Sequence, residues 1–122
     1  MDKLTTYRSL IQRILTEYST LVNRQPRPGV ETVCVFDEKR DHYLLLTIGW
    51  VEDQRVRNTT LYVRLRDEQF WVEEDWTEEG IATELVRAGV PKEDIVLAFH
   101  APYKRPYTGF GVGKEQTGQR AA

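Results

Sequence analysis

Leu4, Tyr7, Ile11, Ile14, Tyr18 and Leu21 recur at alternating spacings of three and four, and Leu10, Leu15 and Val22 widen the stripe. That period is the signature of one amphipathic helix. Asp2 stands where a carboxylate can accept an orphaned amide of the first turn. The helix is expected to end near Asn23, because Arg24-Gln25-Pro26-Arg27-Pro28-Gly29 places two ring-fixed residues and a glycine in the chain. From Val30 the period becomes two. Residues 32–36 are β-branched and aromatic and run into the polar cluster of residues 37–41, which reads as strand and turn. Residues 42–50 form the next strand, in which the continuous Leu44-Leu45-Leu46 predicts burial on both faces and Gly49 an end or a bulge. Residues 55–66 set Leu61, Val63 and Leu65 against Tyr62, Arg64 and Arg66, and the short Asp67-Glu68 link returns residues 69–74 as an antiparallel fourth strand.

Thr77 is expected to cap a second helix, with Glu78 and Glu79 in its first turn and Ile81, Ala82, Leu85 and Val86 as its buried stripe. Gly89 and Pro91 stop it. Residues 95–99 are short and apolar enough for a further buried strand, whereas prolines 102 and 106 and glycines 109, 111 and 113 exclude a long regular helix beyond. The expected fold class is α+β: an N-terminal helix, a four-stranded largely antiparallel sheet, a second helix, a further strand and an irregular C-terminal arm. Residues 1–113 are read as one domain and residues 114–122 as a disordered tail.

Composition narrows the function. A chain of 122 residues, 40% of them hydrophobic, suffices for one core without metal or disulfide. Cys34 is the single cysteine, so neither an intrachain disulfide nor a cysteine zinc site is available. A charged N-terminal stretch and the lack of any long apolar run point to the cytoplasm and away from membranes. The net charge of −2 argues against a dedicated nucleic-acid binder. Charge is nevertheless uneven: residues 67–84 carry −8 and residues 100–122 carry +3, a polarity suited to protein partners.

Catalytic signals are sparse. His42 and His100 each stand at a strand end, His42 near Asp37 and Asp41, and read either as hydrogen-bonded structural histidines or as acid–base groups if a cleft unites them. Cys34 sits in an apolar strand, as an inert thiol does. Gly109-Phe110-Gly111-Val112-Gly113 lacks the following helix that a phosphate cradle needs. No metal and no cofactor are expected. Residues 100–110 interleave cations with aromatics, which suits either an arm that docks on a partner or a cover for the chain's own sheet.

The stretches Asp37-Glu38-Lys39-Arg40-Asp41-His42-Tyr43 and Gly49-Trp50, together with residues 77–107, TEEGIATELVRAGVPKEDIVLAFHAPYKRPY, resemble the XisI family, known chiefly from cyanobacteria. The similarity spans residues 1–113. It implies a non-enzymatic accessory protein that works with a companion, XisH, to control excision of a DNA element by a separate site-specific recombinase. The family brings no catalytic residue. Partner contact is expected at Tyr103, Lys104, Arg105, Tyr107 and Phe110 of the arm and at acidic Glu73, Glu74 and Asp75. These opposite charges also favour a homodimer. The alternative is direct DNA binding through Arg55, Arg57, Arg64 and Arg66 with Lys104 and Arg105. A small hydrolase built on His42 or His100 is a third reading.

Overall fold

The computed structural model describes residues 2–24 and 27–114. Helix α1 spans Lys3–Asn23, and the Asp2 carboxylate accepts the Thr5 amide at 2.7 Å. Its stripe buries Tyr7, Ile11 and Leu15, while Leu21, expected on the same stripe, is exposed near the helix end. Of the loop expected over residues 24–29, residues 25 and 26 lie outside the described residues, and Gly29 turns at φ +83° with its carbonyl accepting the Trp50 amide at 2.8 Å. Strands β1 (Val30–Asp37), β2 (His42–Val51), β3 (Gln54–Arg66) and β4 (Gln69–Asp75) form an antiparallel meander. Helix α2 (Ile81–Arg87) then crosses to β5 (Ile95–Leu97), which pairs parallel with β4 and completes a sheet of order β1-β2-β3-β4-β5.

One face of this sheet carries the core. Tyr43, Leu45, Leu61, Val63, Phe70, Val72 and Ile95 pack beneath Ile11 and Leu15 of α1 and Ile81 and Leu85 of α2. Each fully buried aliphatic or aromatic side chain contributes on the order of 2 kcal/mol by leaving water. The first helix is tied to late sequence as well. The Tyr7 ring lies 4.5 Å from that of Phe70, its hydroxyl donates to Asp94 at 2.6 Å, and the Lys3 ammonium meets the same carboxylate at 2.8 Å. Burial, more than the bond to Asp94, pushes the Tyr7 phenol above its ordinary pKa.

Several local expectations change. The second helix starts at Ile81 after Gly80, so Glu78 and Glu79 precede it. Asp75 replaces Thr77 as its cap: the carboxylate accepts the Thr77 amide at 2.9 Å and the Ile81 amide at 2.7 Å, and the Thr77 hydroxyl donates to it as well. A carboxylate has enough lone pairs to satisfy all of these donors, which a single hydroxyl does not. The helix ends as expected, with Gly89 at φ +100° and the amides of Val90 and Gly89 returning to the carbonyls of Leu85 and Val86. β2 continues past Gly49, and its register shift falls instead between Leu45 and Leu46, opposite Thr60. β5 stops at Leu97, leaving Phe99 exposed beyond the sheet.

Candidate interaction surface

Pleat alternation sends Val33, Val35, Leu44, Leu46, Ile48, Trp50 and Tyr62 to the face away from α1, together with Arg55, Arg57, Arg64, Arg66, Trp71 and Val96. Among the described residues the chain covers only the β4–β5 end of this face. There residues 98–114 fold over buried Trp71 and Val96, and Gly111 forms a bridge to Val96. The arm lies flat because its glycines leave no room for more. A Cβ on Gly111 would stand 2.5 Å from the Glu93 carbonyl oxygen, and one on Gly113 would meet the Trp71 indole. Gly111 and Gly113 thus serve packing, whereas Gly109 has open space around it and supplies a turn at φ +82°. Lys114 also belongs to this cover, because its carbonyl accepts from Arg66. The remaining residues of the expected tail, 115–122, lie outside the described residues.

The arm is anchored from within. Residues Pro102–Tyr107 form a 3₁₀ turn, and Arg105, expected to meet a partner's carboxylate, is only 4% exposed. Its Nε donates to the His100 carbonyl at 3.0 Å and its Nη2 to that of Ala98 at 3.3 Å, while the guanidinium stands 5.5 Å from the Trp71 ring centre. The turn curls its own backbone carbonyls around the fork, and internal acceptors take the place of a partner. Phe110 is also turned inward, half-buried against the core with the Lys92 ammonium 5.7 Å from its ring. Tyr103, Lys104 and Tyr107 point outward, the two tyrosines 73% and 88% exposed.

The acidic group is similarly divided. Glu73 pairs with Arg64 at 3.6 Å, Glu74 accepts the Trp76 indole N–H at 2.7 Å, and Asp75 caps α2. The arginines of β3 share one face, yet most are engaged there. Arg55 lies over Trp50 at 5.5 Å and Arg66 over Trp71 at 4.2 Å, whereas Arg57 is exposed with no ion-pair partner among the described residues.

The candidate catalytic groups have separate neighbours. His42 Nδ1 lies 2.8 Å from the Tyr62 hydroxyl, while the His100 ring packs against Phe99 at 4.7 Å. Asp41 faces α1 instead, taking Nε and Nη2 of Arg8 at 2.7 and 3.0 Å and the Tyr43 hydroxyl at 2.8 Å. The bond from Arg8 holds the Asp41 carboxyl below its usual pKa, and burial raises that of Tyr43. Half-buried Cys34 donates to the Leu15 carbonyl at 3.6 Å. Among the described residues no cluster of three histidines, cysteines or carboxylates converges as a metal site. No helix there is long and apolar enough to cross a membrane.

A groove of about 690 Å³ opens past the end of α1, lined by Tyr18, Val22, Glu74, Trp76 and a threonine ladder, with Arg57 of β3 at its margin. Thr47 joins that ladder to Thr32 at 3.4 Å and to Thr60 at 2.7 Å. Neither histidine lines the groove.

The family model described as XisI protein matches residues 1–112. A XisI-like protein from Anabaena variabilis has a similar structure with a TM-score of 0.84 and 35% identity, over 90% of this chain and 99% of that one. The fdxN element excision controlling factor XisI from the same organism gives a TM-score of 0.79 and 41% identity, over 92% of this chain and 100% of that one. Among curated proteins nothing matches.

Proposed function

The chain belongs to the XisI family, and on that premise we propose that it is a non-catalytic accessory protein that controls excision of a DNA element by a separate recombinase. It acts by docking onto a XisH-like companion. The relative at 41% identity is named for control of fdxN element excision, which supports the process. The observation that supports docking is the arm. Its buried Arg105 holds a turn from which Tyr103 and Tyr107 project almost fully into water beside Lys104. A backbone turn already ordered in the free chain lowers the entropy cost of association, and aromatic side chains dominate interface energies.

The test is co-purification with the companion, followed by titration of Tyr103→Ala, Tyr107→Ala and the double variant. Neither ring is buried in the chain, so melting temperatures should hold while the double variant binds at least tenfold more weakly, about 1.4 kcal/mol. Unchanged affinity in the double variant, or failure to co-purify, overturns the proposal. The common face of Arg55, Arg57, Arg64 and Arg66 favours a second reading, direct DNA contact. Submicromolar binding of duplex by the isolated chain at physiological salt, falling steeply as salt is added, would establish that reading.

A further inference from the structure

Among the described residues nothing covers the β1–β3 part of the outer sheet face. Val35 is 44% exposed and Trp50 53%, and Val33, Leu44, Leu46, Ile48 and Tyr62 are half-exposed between them. Three strands about 4.8 Å apart, over eight residues rising about 3.3 Å each, make a footprint of roughly 14 by 26 Å. Its end rows carry Glu31, Arg57, Asp37 and Arg64 and the rows between them are mainly apolar, and an exposed apolar patch with a polar rim marks an interaction site. Residues 115–122, Glu-Gln-Thr-Gly-Gln-Arg-Ala-Ala, carry no large apolar side chain to match it.

We infer that a second copy of this chain covers this face, as a two-fold dimer of stacked sheets whose axis runs along β2. Strand register supports the choice of occupant. Glu31 pairs with Ile48 on β2, which pairs with Arg57 on β3; Asp37, His42 and Arg64 form the matching row. A two-fold axis along β2 exchanges the β1 and β3 sides, so Glu31 falls opposite the partner's Arg57 and Asp37 opposite the partner's Arg64. Between these charged rows, Leu44, Leu46 and Ile48 stack on their own counterparts, and Val35 meets the partner's Tyr62. Glu31 and Arg57 are both exposed and lack ion-pair partners among the described residues. Stacked sheets with nearly aligned strands are an ordinary packing, at about −30°. Asp37 and Arg64 already pair within the chain, with Arg40 and Glu73, so the Glu31–Arg57 contact carries the charge complementarity that an isologous interface uses.

Sedimentation of the purified chain alone tests this without reference to the companion. A monomer–dimer equilibrium in the low micromolar range is expected. Val35→Glu should raise the dissociation constant at least tenfold while leaving the melting temperature of the dilute monomer unchanged. Glu31→Arg and Arg57→Glu should each weaken self-association. Mixing those two variants should restore it, because in the heterodimer both charged contacts again join opposite signs. A chain that stays monomeric at several hundred micromolar overturns the inference. So does a dimer indifferent to Val35→Glu, or a mixture no tighter than its components. If the companion protects Val35 and Leu46 from hydrogen exchange while the chain alone stays monomeric, the face belongs to the companion instead.

Discussion

Replacing Arg105 by alanine tests whether the C-terminal arm is held by one internal cation. Its guanidinium donates to the carbonyls of Ala98 and His100 and lies near Trp71, with almost no exposure to water. Hydrogen bonds from a charged donor contribute about 1.5–3 kcal/mol each, and a desolvated cation over an indole adds about 1–2 kcal/mol. The full sum is an upper bound, because an opened arm lets water reach both carbonyls. A loss of about 3 kcal/mol is therefore expected, or a fall of roughly 9–15 °C in melting temperature for a domain of this size. Urea unfolding followed by tryptophan fluorescence measures the global loss. Hydrogen exchange at the Gly111 amide, which donates to the carbonyls of Lys92 and Ile95, reports whether the arm opens locally. Arg105→Lys keeps the charge without the planar fork and should recover only part of the loss. An alanine variant within 0.5 kcal/mol of the parent, with Gly111 still protected, would refute the anchoring role.

Two further perturbations probe the frame behind the interaction surface. Asp75→Ala removes the acceptor shared by the Thr77 and Ile81 amides and should cost about 2 kcal/mol by thermal unfolding, the upper end of a lost helix cap. Because Arg8 lowers the Asp41 pKa, the stability due to Asp41 is present above its unfolded value near pH 4 and is lost as pH falls through the lower folded value. Melting temperatures recorded from pH 6 to pH 2 should therefore fall more steeply for the parent than for Asp41→Asn, the two curves converging at the acid end.

The parts of this fold that follow from local rules could be read from the chain. Six apolar residues at helical spacing yield α1, and Gly89 with Pro91 closes α2 because few residues other than glycine enter the left-handed region without strain. What depends on remote geometry could not. Lys104 and Arg105 are adjacent cations in one aromatic stretch, and nothing local foretells that the second is turned onto the carbonyls of residues 98 and 100. Asp75 and Thr77 are both good caps, and the choice between them rests on which side-chain oxygen reaches the Ile81 amide across the loop. Leu44-Leu45-Leu46 correctly placed β2 inside the sheet, but only Leu45 is fully buried within the chain. Its neighbours lie on the face that α1 does not cover.

The bonds from Lys3 and Tyr7 to Asp94, and the packing of Tyr7 on Phe70, also bear on how the chain is made. Synthesis delivers α1 first and the strands beneath its N-terminal half last. Until Phe70, Asp94 and Ile95 have emerged, the stripe of Tyr7, Ile11 and Leu15 has no complete surface to close upon. The β1–β3 meander, whose pairings are local, can form on the ribosome while the helix waits. Closure of α1 then waits for residues 70–95, so a nascent protein in which these have not yet emerged should be captured by chaperones through its uncovered first helix.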